Sequence, residues 1–201
     1  MIKAVVFDVD GVILKYNLFS DRYCKRFNLS REVLAPFFRN EFRKSVIGEV
    51  DIKKLLKKYI DEWKWNRSID ELMEYWLSED EVNEEMIQLI KQLNQKGVKT
   101  YIGSNQERHR AEHIQLQLGM RKFFAATFFS HAFGVKKPDR EFFLRIFKEI
   151  KKNIKNLKKD QVLFVDDQEE NVISARVLGF KIHHYRDLSR LKKQIAHLTG
   201  A

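Results

Sequence analysis

A single cysteine, Cys24, stands among the 201 residues, so no internal disulfide can form, and such a chain suits a reducing compartment. No apolar run approaches the ~20 residues that a bilayer-spanning helix needs. The first residues carry neither the apolar core nor the small-residue cleavage site of an export signal. The expectation that follows is a cytoplasmic protein with no membrane partner. Internal repeats and low-complexity tracts are missing as well, which excludes repeat arrays and biased linkers.

What is present is an ordinary globular mixture, 44% hydrophobic and 33% charged. The length allows one main domain, or a main domain with a smaller insert, and a sizeable core. Lys and Arg number 38 against 28 Asp and Glu, a formal net charge of +10. The basic residues come in blocks, Lys53 to Lys58 and Lys148 to Lys159, with apolar residues at helical intervals between them. That is the pattern of solvated helix faces. A basic surface also binds nucleic acid or steers anionic substrates, and composition does not separate these readings.

Near the N-terminus, Ile2 and Ala4 to Phe7 predict a buried strand, and Gly11 predicts a turn behind it. Asp8 and Asp10 emerge where that strand finishes. In strand geometry both point the same way, with Val9 turned aside. Neighbouring carboxylates repel unless a divalent cation, a lysine or a shared proton relieves them. Asp is also a common turn residue before Gly, so the pair alone leaves a site and a plain turn equally open.

The stretch from about Tyr16 to Asp80 has no strand-like run and is rich in aromatics and charge. Ile52, Leu55, Leu56, Tyr59 and Ile60, then Leu72, Met73, Tyr75 and Trp76, fall at helical steps, with Ser68 and Asp70 as candidate N-caps. A bundle of about four helices is expected here. Strands and helices then alternate. Helix 82–93 is closed by Gly97 and strand 98–103 follows, then helix 107–118 and strand 125–129. A helix carrying Phe142, Phe143, Ile146, Phe147 and Ile150 precedes strand 161–165, helix 169–178, strand 180–184 and a last helix 188–198. Such alternation predicts an α/β fold, a Rossmann-like parallel sheet with helices on both faces. Residues 1–14 and 82–201 form the α/β core domain in this reading, and 15–81 an inserted all-helical cap domain.

The strand ends share a chemistry. The first offers Asp8 and Asp10, the second Ser104-Asn105, the fourth Asp166-Asp167, and Lys137 stands before Pro138, a residue suited to a helix start. Carboxylates on a common sheet edge suit Mg²⁺, while a lysine and a hydroxyl suit phosphate oxygens. Phe7-Asp8-Val9-Asp10-Gly11, Ile102-Gly103-Ser104-Asn105, Gly134-Val135-Lys136-Lys137-Pro138-Asp139 and Phe164-Val165-Asp166-Asp167, with Asn171, Ala175 and Gly179 behind, resemble the four ordered motifs of the haloacid dehalogenase superfamily. The likeness covers the whole chain, and the insert resembles the cap that one subfamily carries between motifs one and two.

The resemblance implies a nucleophilic Asp8, Asp10 as general acid and then base, and Ser104 with Asn105 on the phosphoryl group. Lys137 would offset charge on it and on Asp8, and Mg²⁺ would be held by Asp8, Asp166, Asp167 and the backbone carbonyl of Asp10. The second aspartate, absent from the family's dehalogenases, points to the phosphatase branch. Gly103 departs from the larger residue often found before the Ser. The implied function is Mg²⁺-dependent hydrolysis of a small phosphate monoester, a sugar phosphate by analogy with similar caps, by a monomer or homodimer. A phosphomutase of the β-phosphoglucomutase type is the alternative. A non-catalytic protein binding nucleic acid through its basic helices is a third reading, disfavoured by the intact site.

Other features have plainer readings. His109-Arg110-Ala111-Glu112-His113 matches a zinc-peptidase pattern, but an exposed polar helix face explains it without a third ligand. His183-His184 reads as structural or surface, Trp63, Trp65 and Trp76 as cap core with room for one to face substrate, and Cys24 as non-catalytic. Arg39, Arg43 and Lys44, ahead of a turn at Gly48-Glu49, read as solvated or as contacts to an anionic substrate. Hinges are expected at 14–17 and 78–81.

Overall fold

The computed structural model describes residues 1–15 and 18–199. β1 (Ala4–Phe7) leads into a helical insert of α1 (Phe19–Phe27), α2 (Arg31–Pro36), α3 (Phe42–Val46), α4 (Ile52–Leu56) and α5 (Ile69–Leu77). The remainder alternates: α6 (Glu84–Gln95), β2 (Lys99–Ser104), α7 (Arg108–Leu116), β3 (Ala126–Phe129), the single-turn α8 (Ser130–Phe133), α9 (Arg140–Asn153), β4 (Val162–Asp166), α10 (Glu169–Val177), β5 (Lys181–His184) and α11 (Leu188–Thr199).

The five strands form one parallel sheet in the order β3-β2-β1-β4-β5. Alternation along β1 sends Val5 and Phe7 to one face, against α6, α7 and α11, and Ala4 and Val6 to the other, against α9 and α10. Burial on both faces is why the strands read as unbroken apolar runs. Phe7 is in register with Ile102 and Val165. Asp8, Ser104 and Asp166 therefore leave one edge of the sheet, at the central strand from which the order runs outwards both ways.

The insert has its own core of Phe19, Tyr23, Leu34, Phe37, Trp63, Trp65 and Leu72, in which Cys24 is buried. Ser68 caps α5 in a reciprocal box with Glu71. Where about four helices were expected, the described residues of the insert form five, because the middle is broken into short pieces, two of them joined by a π-helical segment, Phe37–Glu41. Tyr59 and Ile60 lie in turns after α4, and the basic runs outlast their helices, α4 ending at Leu56 and α9 at Asn153. Pro138 precedes α9 instead of starting it; Asp139 is the N-cap.

Gly103 has a packing cause. A Cβ there would lie 2.7 Å from Val6 Cγ1 and 2.8 Å from Ile146 Cδ1, so strand and helix have closed over the space a larger residue would fill. At Gly11 the backbone is left-handed, with φ +70°, and a Cβ would meet Asp167 Oδ2 at 2.7 Å.

Candidate active site

Asp8 follows β1 directly, and its Oδ1 is held by the Val9 amide at 2.7 Å and by Lys137 Nζ at 2.8 Å. The same ammonium reaches Asp166 Oδ2 at 2.5 Å. Lys137 is only 2% exposed, so its charge acts in a poorly solvated space. Burial by itself would push the lysine down, yet Asp8 and Asp166 together outweigh it and raise its pKa. Burial pushes the Asp8 carboxyl up to about 7, against the pull of Lys137 and with the charge of Asp166 adding to the rise. Asp167 is raised too, chiefly by burial.

The surroundings aim these groups. Asp166 Oδ1 accepts from the Gln168 amide and from Asn171 Nδ2, each at 2.9 Å. His184, at the end of β5, reaches the Asp167 carbonyl at 3.0 Å, whereas His183 meets Gln194 on α11. The histidine pair is thus structural, one of its members bracing the site. Asp8, Asp166 and Asp167 each present a carboxylate oxygen, all within 4.8 Å of one another, and no other such cluster occurs among the described residues. One ammonium cannot balance three carboxylates. An all-oxygen donor set with surplus negative charge fits a hard divalent cation such as Mg²⁺.

Ser104, 1% exposed at the end of β2, accepts from Gln106 Nε2 at 3.1 Å. The Asn105 side chain is used on the main chain of Lys137, donating to its carbonyl at 2.9 Å and accepting from its amide at 2.8 Å. Asn105 therefore fixes the lysine loop to the end of β2.

Asp10 sits apart from the carboxylate cluster. Arg110 forks its carboxylate at 2.7 and 2.8 Å, and Gln106 Nε2 donates to it at 2.8 Å. Enclosure works to raise this carboxyl, but Arg110 and Gln106 outweigh it and hold it below the usual range. Arg110 also donates to Asp80 at 2.8 Å, tying the return from the insert to the first motif. Neither Arg110 nor Gln106 was marked as functional in the sequence. The signal was there, since a helix following the Ser104 strand end must bring its first turn over the same edge.

That helix, α7, corrects another expectation. His109, Arg110 and His113 do not form an exposed face but meet the insert and its return, His109 contacting Asp51 at 2.9 Å and His113 lying 3.9 Å from Asp80. Two histidines with different acidic partners do not converge on a metal. Further contact comes from Gly48, at φ +75°, where a Cβ would strike the His131 carbonyl at 2.2 Å. Ser130 Oγ donates to the Val46 carbonyl at 2.6 Å, lies 3.3 Å from the Gln106 carbonyl and accepts from the Gln106 amide at 3.0 Å.

Between the insert and the sheet edge lies a cavity of about 450 Å³, which reaches the site through Asp10 rather than Asp8. Trp76 lines it, whereas Trp63 and Trp65 are buried in the insert's core. Arg39, Arg43 and Lys44 are exposed outside it. Of the hinge positions, Tyr16 and Asn17 lie outside the described residues. Among the described residues, no helix is long and apolar enough to cross a membrane.

A model of the haloacid dehalogenase-like hydrolase family matches residues 2–179. The chain is 23% identical over 201 residues to a drimenol cyclase of Aspergillus calidoustus, covering 100% of this chain and 37% of that protein. It is 28% identical over 118 residues to a sesquiterpene phosphatase of Aspergillus oryzae, covering 57% of this chain and 56% of the relative. The chain thus spans 37% and 56% of the length of these two curated relatives. A HAD family enzyme from Bacteroides thetaiotaomicron superimposes with a TM-score of 0.78 at 18% identity, over 95% of this chain and 98% of that one. The same enzyme's complex with magnesium and inorganic phosphate superimposes at 0.73 and 18% identity, over 95% and 99%. These two likenesses are of fold.

Proposed function

Because the chain belongs to the haloacid dehalogenase-like hydrolases, we propose that it is a Mg²⁺-dependent phosphatase that hydrolyses small organic phosphate monoesters through an aspartyl-phosphate on Asp8. The observation that carries this reading is the buried triangle of Asp8, Lys137 and Asp166 beside Asp167. The phosphatase named among the relatives and the magnesium and phosphate complex of a structural neighbour support it. The insert, residues 15–81, is taken as a cap over a core of 1–14 and 82–201.

In this proposal Asp8 attacks phosphorus as the ester P–O bond breaks, and Asp10 gives its proton to the leaving oxygen. Water then attacks the aspartyl-phosphate, its proton passes to Asp10, and phosphate leaves as the Asp8 acyl-phosphate bond breaks. Lys137 and Ser104 neutralise and position the phosphoryl oxygens. Asp8, Asp166 and Asp167, with the Asp10 carbonyl, would hold Mg²⁺, which supplies charge neutralisation for phosphoryl transfer. The Arg110 fork favours ionised Asp10, ready as a base; to act as acid Asp10 must first leave that fork and take up a proton from water, which it then gives to the leaving oxygen.

The test is hydrolysis of p-nitrophenyl phosphate with and without Mg²⁺, comparing the protein with Asp8→Asn. Metal-dependent turnover that falls by about a thousandfold or more in the variant is expected. Turnover that survives the substitution would defeat the reading, and phosphorus NMR showing isomerised ester without free phosphate would replace hydrolysis by phosphate migration.

A further inference from the structure

The cavity beside Asp10 is two-sided in its chemistry. Leu18, Phe38, Phe42, Trp76 and Leu77 line it from the insert and its edge. Its charged lining is Asp10, Asp80, Glu107 and Arg110, three carboxylates against one guanidinium. That guanidinium is already engaged by Asp10 and Asp80, and Glu107 accepts the amides of His109 and Arg110 at the start of α7. Among the described residues, no lining cation is left over for a second phosphate or a carboxylate on the substrate. The excess of carboxylates over cations in the lining would repel one. A polyhydroxylated group would meet a mainly aromatic and aliphatic wall in which, of the described residues, few besides Ser20 offer an uncharged hydrogen-bonding group, and most of its hydroxyls would lose their water without return.

From this we infer that the leaving group is an uncharged apolar alcohol, alkyl or aryl, seated on Leu18, Phe38, Phe42, Trp76 and Leu77, with its phosphate at Asp8. The inference rests on the phosphatase reading and narrows its substrate class away from sugar phosphates, nucleotides and bisphosphates. A volume of about 450 Å³ is within the range of cavities that enclose small organic ligands. Asp10 is placed to meet the ester oxygen because it lies in the cavity wall and only two residues from Asp8. Continuity between the apolar wall and that carboxylate distinguishes a substrate seat from a mere gap between packed helices.

The experiment measures kcat/KM with Mg²⁺ for ethyl, butyl, hexyl and octyl phosphate and for glucose 6-phosphate. It is paired with calorimetric binding of ethylphosphonate and octylphosphonate, which cannot be hydrolysed. Burial of each added methylene predicts a rise of about threefold, hence at least about a hundredfold from ethyl to octyl. Leu18→Glu, at a position 42% exposed and so tolerant in folding, should lower the octyl-to-ethyl ratio by at least about tenfold, and Phe42→Gln should do the same. Hydrolysis without chain-length dependence, or glucose 6-phosphate preferred over octyl phosphate, overturns the inference while leaving the phosphatase standing. Tight binding of octylphosphonate over ethylphosphonate with no turnover of any ester defeats the phosphatase reading and keeps the apolar seat. Equal binding of the two phosphonates overturns the seat whatever the turnover.

Discussion

The sheet edge and the helical insert are built by opposite means. At the edge, strand register sets where Asp8, Ser104 and Asp166 emerge, and each charged group has a fixed partner: Lys137 lies between Asp8 and Asp166, while Asn105 and Asn171 orient the lysine loop and Asp166. In the insert, aromatic rings pack on aromatic rings, Phe19 on Trp76 with centroids 4.1 Å apart and Phe42 on Trp76 at 5.7 Å. Backbone pairing makes the edge intolerant of displacement, whereas stacked rings accept repacking. On the proposed reading, reaction chemistry is thereby separated from substrate choice within one chain.

The comparison breaks most sharply at Lys137. Lys137→Met leaves Asp8 and Asp166 buried face to face, and urea unfolding should show a loss of ~3–5 kcal/mol, part of it restored by Mg²⁺. Withdrawing the proposed Mg²⁺ comes next. Because a cation bound only to the folded state stabilises it by ~2.7 kcal/mol at a hundred times its dissociation constant, removal with a chelator should lower Tm by about 5–10 °C, and Asp167→Asn should blunt that difference. Gly103→Ala probes the rigidity of the edge: a methyl crowding Val6 and Ile146 should cost ~1–3 kcal/mol in urea unfolding. At the insert's outer surface the effects should vanish. Arg39→Ala and Arg43→Ala together should change stability by less than about 0.5 kcal/mol and kcat/KM for small esters by less than about twofold, since both side chains face solvent outside the cavity.

The parallel sheet was legible because every strand is a short apolar run bounded by helix signals, the carboxylates and Ser104 because they follow those runs, and Lys137 because it stands before Pro138. Gly103 was readable as a departure but not explicable, since its cause is Ile146, distant in sequence and close only after α9 docks. Arg110 was hidden for a related reason. One arginine on a polar helix looks solvated until tertiary packing brings Asp10 and Asp80 against it. In the insert, aromatic spacing announced helices but not which rings would be core and which would line the cavity, because Trp63 and Trp76 obey the same periodicity and differ only in what packs above them. Broken helices there escaped notice because apolar residues at helical steps continue through the turns after α4.

Ser130 bears on how the insert could part from the sheet domain. Its hydroxyl proton is given to Val46 of the insert at 2.6 Å, yet the Gln106 carbonyl waits 3.3 Å away on the sheet side. When a buried donor loses its acceptor, the usual cost is ~1–3 kcal/mol. Here a rotation of one hydroxyl transfers the proton's allegiance from one body to the other, so separation leaves no orphaned donor behind. The seam carries its own spare acceptor, and the resistance to opening falls instead on the charged contacts of α7, His109 with Asp51 and Arg110 with Asp80.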